Sequence, residues 1–275
     1  MLVMVYAMEN RDTSSSQDTA GIEDVYFDLQ ASWGITKHLG GSEATIEIAE
    51  RCNVTAESKV LIVGCGVGIT PCFMVKKYGC QVVGVDISEK MVRKSKHRAD
   101  KQGVGDKTEF RVADAQILPF RDEMFDAVFC ESVLAFVPDK QKAVRDFARV
   151  TASNGYTGFN EVTWLAEPPV EIVEYMTRIM GSKFFMAEEW KALLENTGLA
   201  DISAQTYSSN VWKQWASEVR QFETADFLTA WGKYFIQIFT NPATRSFTVE
   251  AMKFPRSIFG LFRYFGYGIY VGKKQ

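Results

Sequence analysis

The sequence has no apolar run long enough to cross a membrane and no excess of basic residues. A transmembrane helix needs about 18 or more consecutive apolar residues, and no stretch of the chain reaches that length. The 31 Lys and Arg residues are outnumbered by 34 Asp and Glu residues, which gives a formal net charge of -3. Without a basic patch, binding to nucleic acid is not expected. These shortages favour an ordinary soluble protein.

Cysteine and histidine are too few, and too irregularly spaced, for a disulfide framework or a metal site. The five cysteines are Cys52, Cys65, Cys72, Cys80 and Cys130. Their odd number and the lack of paired spacings favour a reducing compartment, so we predict a cytoplasmic protein. Only two histidines occur, His38 and His97, and neither belongs to a ligand pattern. We therefore predict no metal site.

The start of the chain has no secretion signal. The first eight residues are apolar but lack the basic residues of a signal peptide. Residues 10–19 are rich in Ser, Asp and Thr, a composition that does not support a packed core. We predict a disordered N-terminus over residues 1–20 and leave open whether translation starts at Met1 or Met8.

What the sequence does contain is a buried strand that runs into a glycine-rich turn. Residues 60–63 are continuously apolar, as in a central strand of a parallel sheet. Glycines follow at every second position, and glycine lets a ligand approach the backbone closely. A helix is predicted from Ile69 to about Tyr78, with its N-terminus over the turn. We predict a cofactor site at Gly64, Cys65, Gly66 and Gly68.

A second apolar strand ends in an acid at the distance expected for a nucleotide-type cofactor. Asp86 follows the glycine turn by about 20 residues, and an acid there can accept the hydroxyl groups of a ribose. The NAD fingerprint G-x-G-x-x-G would place its last glycine at Ile69. The spacing G-x-G-x-G of this chain instead favours S-adenosylmethionine, whose amino-acid end lies against the turn.

Two later stretches agree with an adenosine-containing cofactor. Asp114 and Ala115 follow a predicted third strand and suit the adenine amino group, while Ile87 is well placed to pack on the adenine ring. Residues 125–131 form a predicted fourth strand, whose end opens into the same crevice. Ligands of such sheets bind outside the carboxyl ends of the strands.

Taken together, these motifs carry a resemblance to a known family. They are VGCGVG at 63–68, VDIS at 85–88, ADA at 113–115 with LPF at 118–120, and FDAV at 125–128. The chain resembles the class I S-adenosylmethionine-dependent methyltransferases of the ubiquinone/menaquinone methyltransferase-like branch (methyltransferase domain family 11/25 type). The resemblance covers about residues 44–162. It implies S-adenosylmethionine as the cofactor and methyl transfer to a small-molecule acceptor.

Strands and helices alternate from residue 59 to residue 160, which predicts an α/β, doubly wound parallel sheet. The resemblance implies a Rossmann-like sheet of seven strands. Strands are predicted near 199–207 and 267–272, and about sixty residues between them exceed a hairpin loop. We therefore predict a core with an N-terminal helical lead-in over 21–207, a helical insertion or cap over 208–265 and a last core strand over 266–275. Ser42 is the predicted cap of a helix that ends near Cys52.

The catalytic candidates come from the strand ends and from the lead-in. A hydroxyl or carbon acceptor needs a general base, whereas a neutral amine needs orientation alone. Glu131 and Glu161 follow the fourth and fifth strands, so both are candidate bases, and Glu131 is also a candidate cofactor contact. A structural role is left open for each: Glu131 as the cap of the next turn, and Glu161 as the partner of a lysine or arginine.

By the resemblance, the segment before the first strand folds over the cofactor. Its roof candidates are Tyr26 and His38 for catalysis and Trp33 for cofactor contact. Tyr26 and Trp33 could equally pack the lead-in on the sheet.

The predicted insertion is rich in large aromatic residues. This composition suits a helical cap, an apolar substrate chamber or a face that touches a membrane. We expect an apolar acceptor and leave peripheral membrane contact and a homodimer open. The alternative functions are an NAD-dependent oxidoreductase and a non-catalytic module that binds S-adenosylmethionine.

Overall fold

A computed structural model of the chain describes residues 38–180, 182–208, 232 and 236–275. The predicted disordered stretch 1–20, the residues Tyr26 and Trp33, and a large part of the predicted insertion lie outside the described residues. Among the residues that are described, no helix is both long and apolar enough to span a membrane.

The described residues form one mixed sheet. Its strands are β1 (Lys59–Val63), β2 (Gln81–Asp86), β3 (Thr108–Val112), β4 (Phe125–Glu131), β5 (Thr151–Trp164), β6 (Phe185–Met186), β7 (Ala200–Ser208) and β8 (Phe265–Lys273). The strand order is β3-β2-β1-β4-β5-β8-β7, and the short β6 pairs with β5 outside this path. β8 runs antiparallel to both of its neighbours, β5 and β7.

Helices cover both faces of this sheet. They are α1 (Gly41–Arg51), α2 (Ile69–Tyr78), α3 (Glu89–Lys101), α4 (Lys140–Val150), α5 (Val170–Met180), α6 (Ala187–Glu195) and α7 (Pro242–Ala251), with 3-10 helices at Gly105–Lys107, Leu134–Phe136 and Arg256–Arg263. Alternate residues of β1 enter opposite apolar clusters: Leu61 packs with α4 and α6, and Ile62 packs with α1 and α2. Because both faces of β1 are covered, its residues are apolar without alternation, as is typical of a central strand.

The predicted fold is confirmed. The main path of the sheet has seven strands in a doubly wound arrangement, and α7 and the last 3-10 helix lie between β7 and β8. The sequence did not predict the eighth strand, β6. With two residues, it is too short to produce an alternating pattern.

One local prediction was wrong. Ser42 does not cap α1, because Gly40 takes that position with a left-handed φ of 80° and Ser42 lies within the helix. After α4 the chain continues without a loop, because β5 begins directly at Thr151. Asn154 has a φ of 65° and lies within a shift of register between β4 and β5.

β5 continues past Asn160 to Trp164. Its last residues, Glu161 to Trp164, pair with Gly268 to Phe265 of β8. β8 therefore pairs with the part of β5 that continues beyond the carboxyl end of its parallel neighbour β4.

Candidate active site

The glycine-rich turn lies at the carboxyl end of β1, as predicted. Gly64, Gly66 and Gly68 have φ angles of 72°, 54° and 83°, all in the region that side chains with a Cβ rarely adopt. The backbone N–H groups of Gly64 and Cys65 donate to the Val85 carbonyl oxygen at 2.8 and 2.9 Å. The turn is thereby fixed to β2, and α2 begins directly after Gly68.

At two of these positions, close packing requires glycine in addition to the backbone conformation. A Cβ at Gly64 would lie 2.3 Å from the Val133 side chain, and a Cβ at Gly68 would lie 2.9 Å from the Ser95 Cα atom of α3. Gly64 thus lets the loop after β4 approach the turn. Gly68 lets α3 approach the start of α2.

Asp86 joins the glycine turn to the loop after β2. One carboxylate oxygen accepts the Gly66 N–H and the other accepts the Ser88 N–H, both at 2.9 Å. Burial raises the pKa of the Asp86 carboxyl, and the two backbone N–H groups oppose that rise. A carboxylate that is held in this way is fixed in position at the mouth of the crevice.

The residues predicted to contact adenine lie at neighbouring strand ends. The Ile87 side chain is 74% exposed, so it is free to pack on a planar ring. The Asp114 carboxylate accepts the Gln116 N–H at 2.8 Å, and Ala115 packs against the core beneath it. The Ala113 N–H donates to the Asp86 carbonyl oxygen at 3.0 Å, which holds the two loops side by side.

Cys65 is placed differently from the other residues of the turn. Its side chain is buried in the cluster under α2 and lies 3.8 Å from the Ser95 hydroxyl. Burial raises the pKa of its thiol. A contact between Cys65 and a cofactor would therefore come from its main chain.

His38, Thr45 and Glu131 form a buried polar cluster beside the glycine turn, at the end of β4. The Thr45 hydroxyl donates to Glu131 Oε1 at 2.8 Å, and His38 Nδ1 lies 3.6 Å from the same oxygen. His38 Nε2 lies 3.4 Å from the Thr45 hydroxyl. Glu131 Oε2 and His38 Nδ1 are buried and have no hydrogen-bond partner among the described residues.

The segment that carries His38 is fixed to the ends of β4 and β5. The Asn160 amide donates to the Leu39 carbonyl oxygen, and the Leu39 N–H donates to the Ser132 hydroxyl at 3.4 Å. Ser132 has a φ of 56° and donates its own N–H to the Asn160 carbonyl oxygen. Sequence reasoning did not assign these contacts, because side chains near strand ends show no local pattern that identifies their partners.

Glu161 lies in the same region but is fully buried. Its Oε1 accepts the N–H groups of Val133 and Leu134 at 2.7 and 2.6 Å. Burial raises the pKa of the Glu161 carboxyl to about 8, against the lowering effect of those N–H groups. Through these backbone contacts, and not through the ion pair that was left open for it, Glu161 holds the loop after β4. Its predicted role as a base stays a prediction.

The arrangement fits the cofactor that the sequence predicts. The glycine turn, Asp86, Ile87 and Asp114 lie along the carboxyl ends of β1, β2 and β3, and Glu131 ends the adjacent strand β4. The unpartnered Glu131 Oε2 suits a donor such as an ammonium group. Tyr26 and Trp33 lie outside the described residues, so their predicted roles stay predictions.

Comparisons with known proteins agree with this site. A family model described as a methyltransferase domain matches residues 61–159. The chain is 30% identical over 175 residues to methyltransferase GfsG of Streptomyces halstedii, covering 60% of this chain and 63% of that protein. It is 29% identical over 217 residues to the 27-O-demethylrifamycin SV methyltransferase of Amycolatopsis mediterranei, covering 73% and 80%.

A solved structure shows the same fold. An S-adenosylmethionine-dependent methyltransferase from Thiobacillus denitrificans, in complex with S-adenosylhomocysteine, superposes with a TM-score of 0.67 and 17% identity, covering 91% of this chain and 98% of that one. The chain spans less than two thirds of the length of GfsG. From its motifs, its fold and these relatives, the chain belongs to the class I S-adenosylmethionine-dependent methyltransferases.

Proposed function

We propose that this chain transfers a methyl group from S-adenosylmethionine to a small-molecule acceptor. The observation that carries the proposal is the fixed geometry of the glycine turn and Asp86. Each Asp86 oxygen accepts a backbone N–H. The carboxylate is therefore held in one position, from which it can accept hydrogen bonds from the hydroxyl groups of a ribose. The spacing G-x-G-x-G, without a third glycine at Ile69, weighs against the NAD-dependent alternative.

Four groups of this chain would hold the cofactor. Asp86 accepts the ribose hydroxyls, Ile87 packs on the adenine ring and Asp114 accepts the adenine amino group. Glu131 Oε2, which is buried and lacks a partner among the described residues, accepts the ammonium of the amino-acid end. When bound, S-adenosylmethionine supplies a methyl carbon whose bond to the sulfonium sulfur breaks as the acceptor attacks.

The remaining task of the protein is to orient the acceptor and to remove its proton where it has one to lose. His38 is the residue that we propose as the base for a hydroxyl acceptor. Its ring is 15% exposed, which leaves it accessible to an acceptor, and its Nδ1 lies 3.6 Å from Glu131 Oε1, a carboxylate that can orient the ring. Glu161, fully buried and bonded to backbone N–H groups, is a positioning residue.

The acceptor is a small organic molecule in this proposal. The name of the Amycolatopsis relative gives 27-O-demethylrifamycin SV as its substrate, which supports a small-molecule acceptor for this chain. The residues over 209–231, where several of the aromatic side chains lie, are outside the described part of the chain. A cytoplasmic location and a homodimer stay predictions.

Isothermal titration with S-adenosylmethionine and S-adenosylhomocysteine tests the proposal. We expect micromolar binding of both by the full chain. Asp86→Asn should weaken both affinities by about tenfold or more, because an amide has one acceptor oxygen where the carboxylate has two. Asp106→Asn, at an exposed acid in a 3-10 helix, is the matched control and should bind like the unaltered protein.

Two results would contradict the assignment. Absence of binding of either ligand would show that the turn and Asp86 serve another purpose, and a fluorescence titration with a reduced nicotinamide cofactor would then test the oxidoreductase alternative. Tight binding with no methyl transfer to any member of a broad acceptor panel would favour a module that binds the cofactor without catalysis.

A further inference from the structure

The outward face of α7 is apolar and basic. Arg245, Val249 and Met252 follow each other at helical spacing, and Val249 and Met252 are 51% and 71% exposed. The opposite side of the helix faces inward, since Thr244 is fully buried. The Met252 N–H still donates to the Thr248 carbonyl oxygen, so Met252 continues the helical turn.

The chain just after α7 extends the same character. Phe254 is 47% exposed, the Lys253 side chain is 59% exposed, and Arg256 is exposed as well. We call Arg245, Val249 and Met252 to Arg256 the basic-apolar face. Two large apolar side chains therefore flank a lysine at a turn on the surface.

The charge of this region is opposite to that of the whole chain. Residues 242–263 contain four basic residues and one acid, Glu250, which pairs with Lys253. The full sequence carries a net charge of -3. Positive charge is thus concentrated where apolar side chains are exposed, and this combination favours a negatively charged surface with an apolar interior.

The face lies on a segment that is rooted at the carboxyl edge of the sheet. Leu261, in the 3-10 helix that follows the face, is buried in one cluster with Val162 and Trp164 of β5. Trp164 pairs with Phe265, where the segment rejoins the sheet. The carboxyl ends of the parallel strands, and with them the glycine turn, lie along this edge.

We propose that the basic-apolar face binds the surface of a bilayer that contains anionic lipids. Met252 and Phe254 enter the headgroup region, while Arg245, Lys253 and Arg256 contact the negatively charged headgroups. The consequence is that the carboxyl edge of the sheet lies near the lipid, where an apolar molecule is concentrated. This proposal concerns docking, so it holds or fails independently of the methyl-transfer reaction.

Vesicle co-sedimentation with the full chain tests the proposal. Vesicles of phosphatidylcholine alone are compared with vesicles in which about one third of the lipid is phosphatidylserine. We expect binding to the anionic vesicles to be tighter by about tenfold or more and to weaken as salt is added. Met252→Ser with Phe254→Ser should lower binding by about tenfold. Arg245→Gln with Arg256→Gln should remove the preference for anionic lipid.

A control pair lies on β3, the strand at the other end of the strand order from β7, and on the neighbouring helix α3. Val112→Ser on β3, at a side chain that is 49% exposed, combined with Lys101→Gln at the exposed end of α3, should leave vesicle binding unchanged. Thermal melts followed by circular dichroism verify that each variant is folded.

Two outcomes would overturn the proposal. One is vesicle binding that is absent or unaltered in the variants of the face. The other is a concentration-dependent dimer in sedimentation velocity that the Met252→Ser, Phe254→Ser variant abolishes while vesicle binding is absent, which would assign the face to a second copy of this chain.

Discussion

At the scale of single residues, three carboxyl groups near the strand ends have different surroundings and so suit different tasks. Asp86 accepts one backbone N–H on each oxygen, and Glu161 accepts two on a single oxygen. Glu131 instead meets side chains, Thr45 and His38. The Oε2 atoms of Glu131 and Glu161 both lack a hydrogen-bond partner among the described residues. Glu131 is 8% exposed and Glu161 is fully buried, so Glu131 is the one that a ligand can reach more easily.

His38→Ala tests the proposed base. With a hydroxyl acceptor identified by panel screening, we expect kcat to fall by about a hundredfold or more, the range that general-base catalysis contributes. The affinity for S-adenosylmethionine should stay within about twofold of the original. Added imidazole should restore part of kcat, which a purely structural defect would not show.

The chain supplies a matched control in its second histidine. His97→Ala, on the exposed side of α3, should leave kcat unaltered. A His38→Ala variant that keeps more than about half of kcat would rule out His38 as the base. An acceptor that needs orientation alone, such as a neutral amine, would then be favoured.

At the scale of elements, Glu161 connects β5 to the loop and 3-10 helix that follow β4. Its Oε1 accepts the N–H groups of Val133 and Leu134, and Val133 is the side chain that packs against Gly64. The position of the loop over the glycine turn therefore depends on a carboxyl group that is fully buried.

The raised pKa of Glu161 predicts a pH dependence of stability. In the folded protein this pKa is about 8, and in the unfolded chain it is about 4.3. Between these values the folded state holds a proton that the unfolded state has lost, so the free energy of unfolding falls as pH rises. The fall amounts to at most about 5 kcal/mol over the whole window. Urea unfolding at about pH 5 and about pH 8 measures it.

Glu161→Gln mimics the protonated carboxyl and should flatten this decline. The variant should match the unaltered protein near pH 5 and exceed it in stability near pH 8. Glu171→Gln, at an exposed acid of α5, serves as the control and should keep the original slope. Equal slopes for Glu161→Gln and the unaltered protein would show that Glu161 is not the group responsible.

At the scale of the whole molecule, the last strand lies inside the sheet. β8 pairs with β5 on one side and with β7 on the other. Ile269, Tyr270 and Val271 of β8 are buried in the two main apolar clusters. Within the described part of the sheet, β8 is thus the strand that joins β5 to β7.

A chain that ends at residue 264 is therefore expected not to fold. Each fully buried side chain of this size stabilises a protein by about 1.5–3 kcal/mol, so losing three of them removes an amount comparable with a typical total stability of about 5–15 kcal/mol. Circular dichroism should show no cooperative thermal transition. A chain that lacks only Gln275 should melt cooperatively, and a cooperative melt of the shorter chain would contradict the prediction.

The helices and strands predicted from the sequence show which features were local. α2 begins and ends at the predicted residues, because apolar spacing and flanking Gly residues act over a few positions. β6 was not predicted, because a strand of two residues is too short to show an alternating pattern. The Gly40 cap of α1 was not predicted either. The cap prediction failed because Gly40 takes a left-handed conformation that no pattern indicated.

The sequence by itself determined the order of strands and helices, the glycine turn and the acid at the end of β2, because periodicity and spacing along the chain define them. The tertiary structure alone decided that His38 meets Glu131, that Glu161 bonds to the loop after β4 and that Met252 and Phe254 share a surface with arginines. These contacts join residues that are far apart in sequence, or depend on which side of a helix faces outward. Only the packed arrangement of the elements sets them.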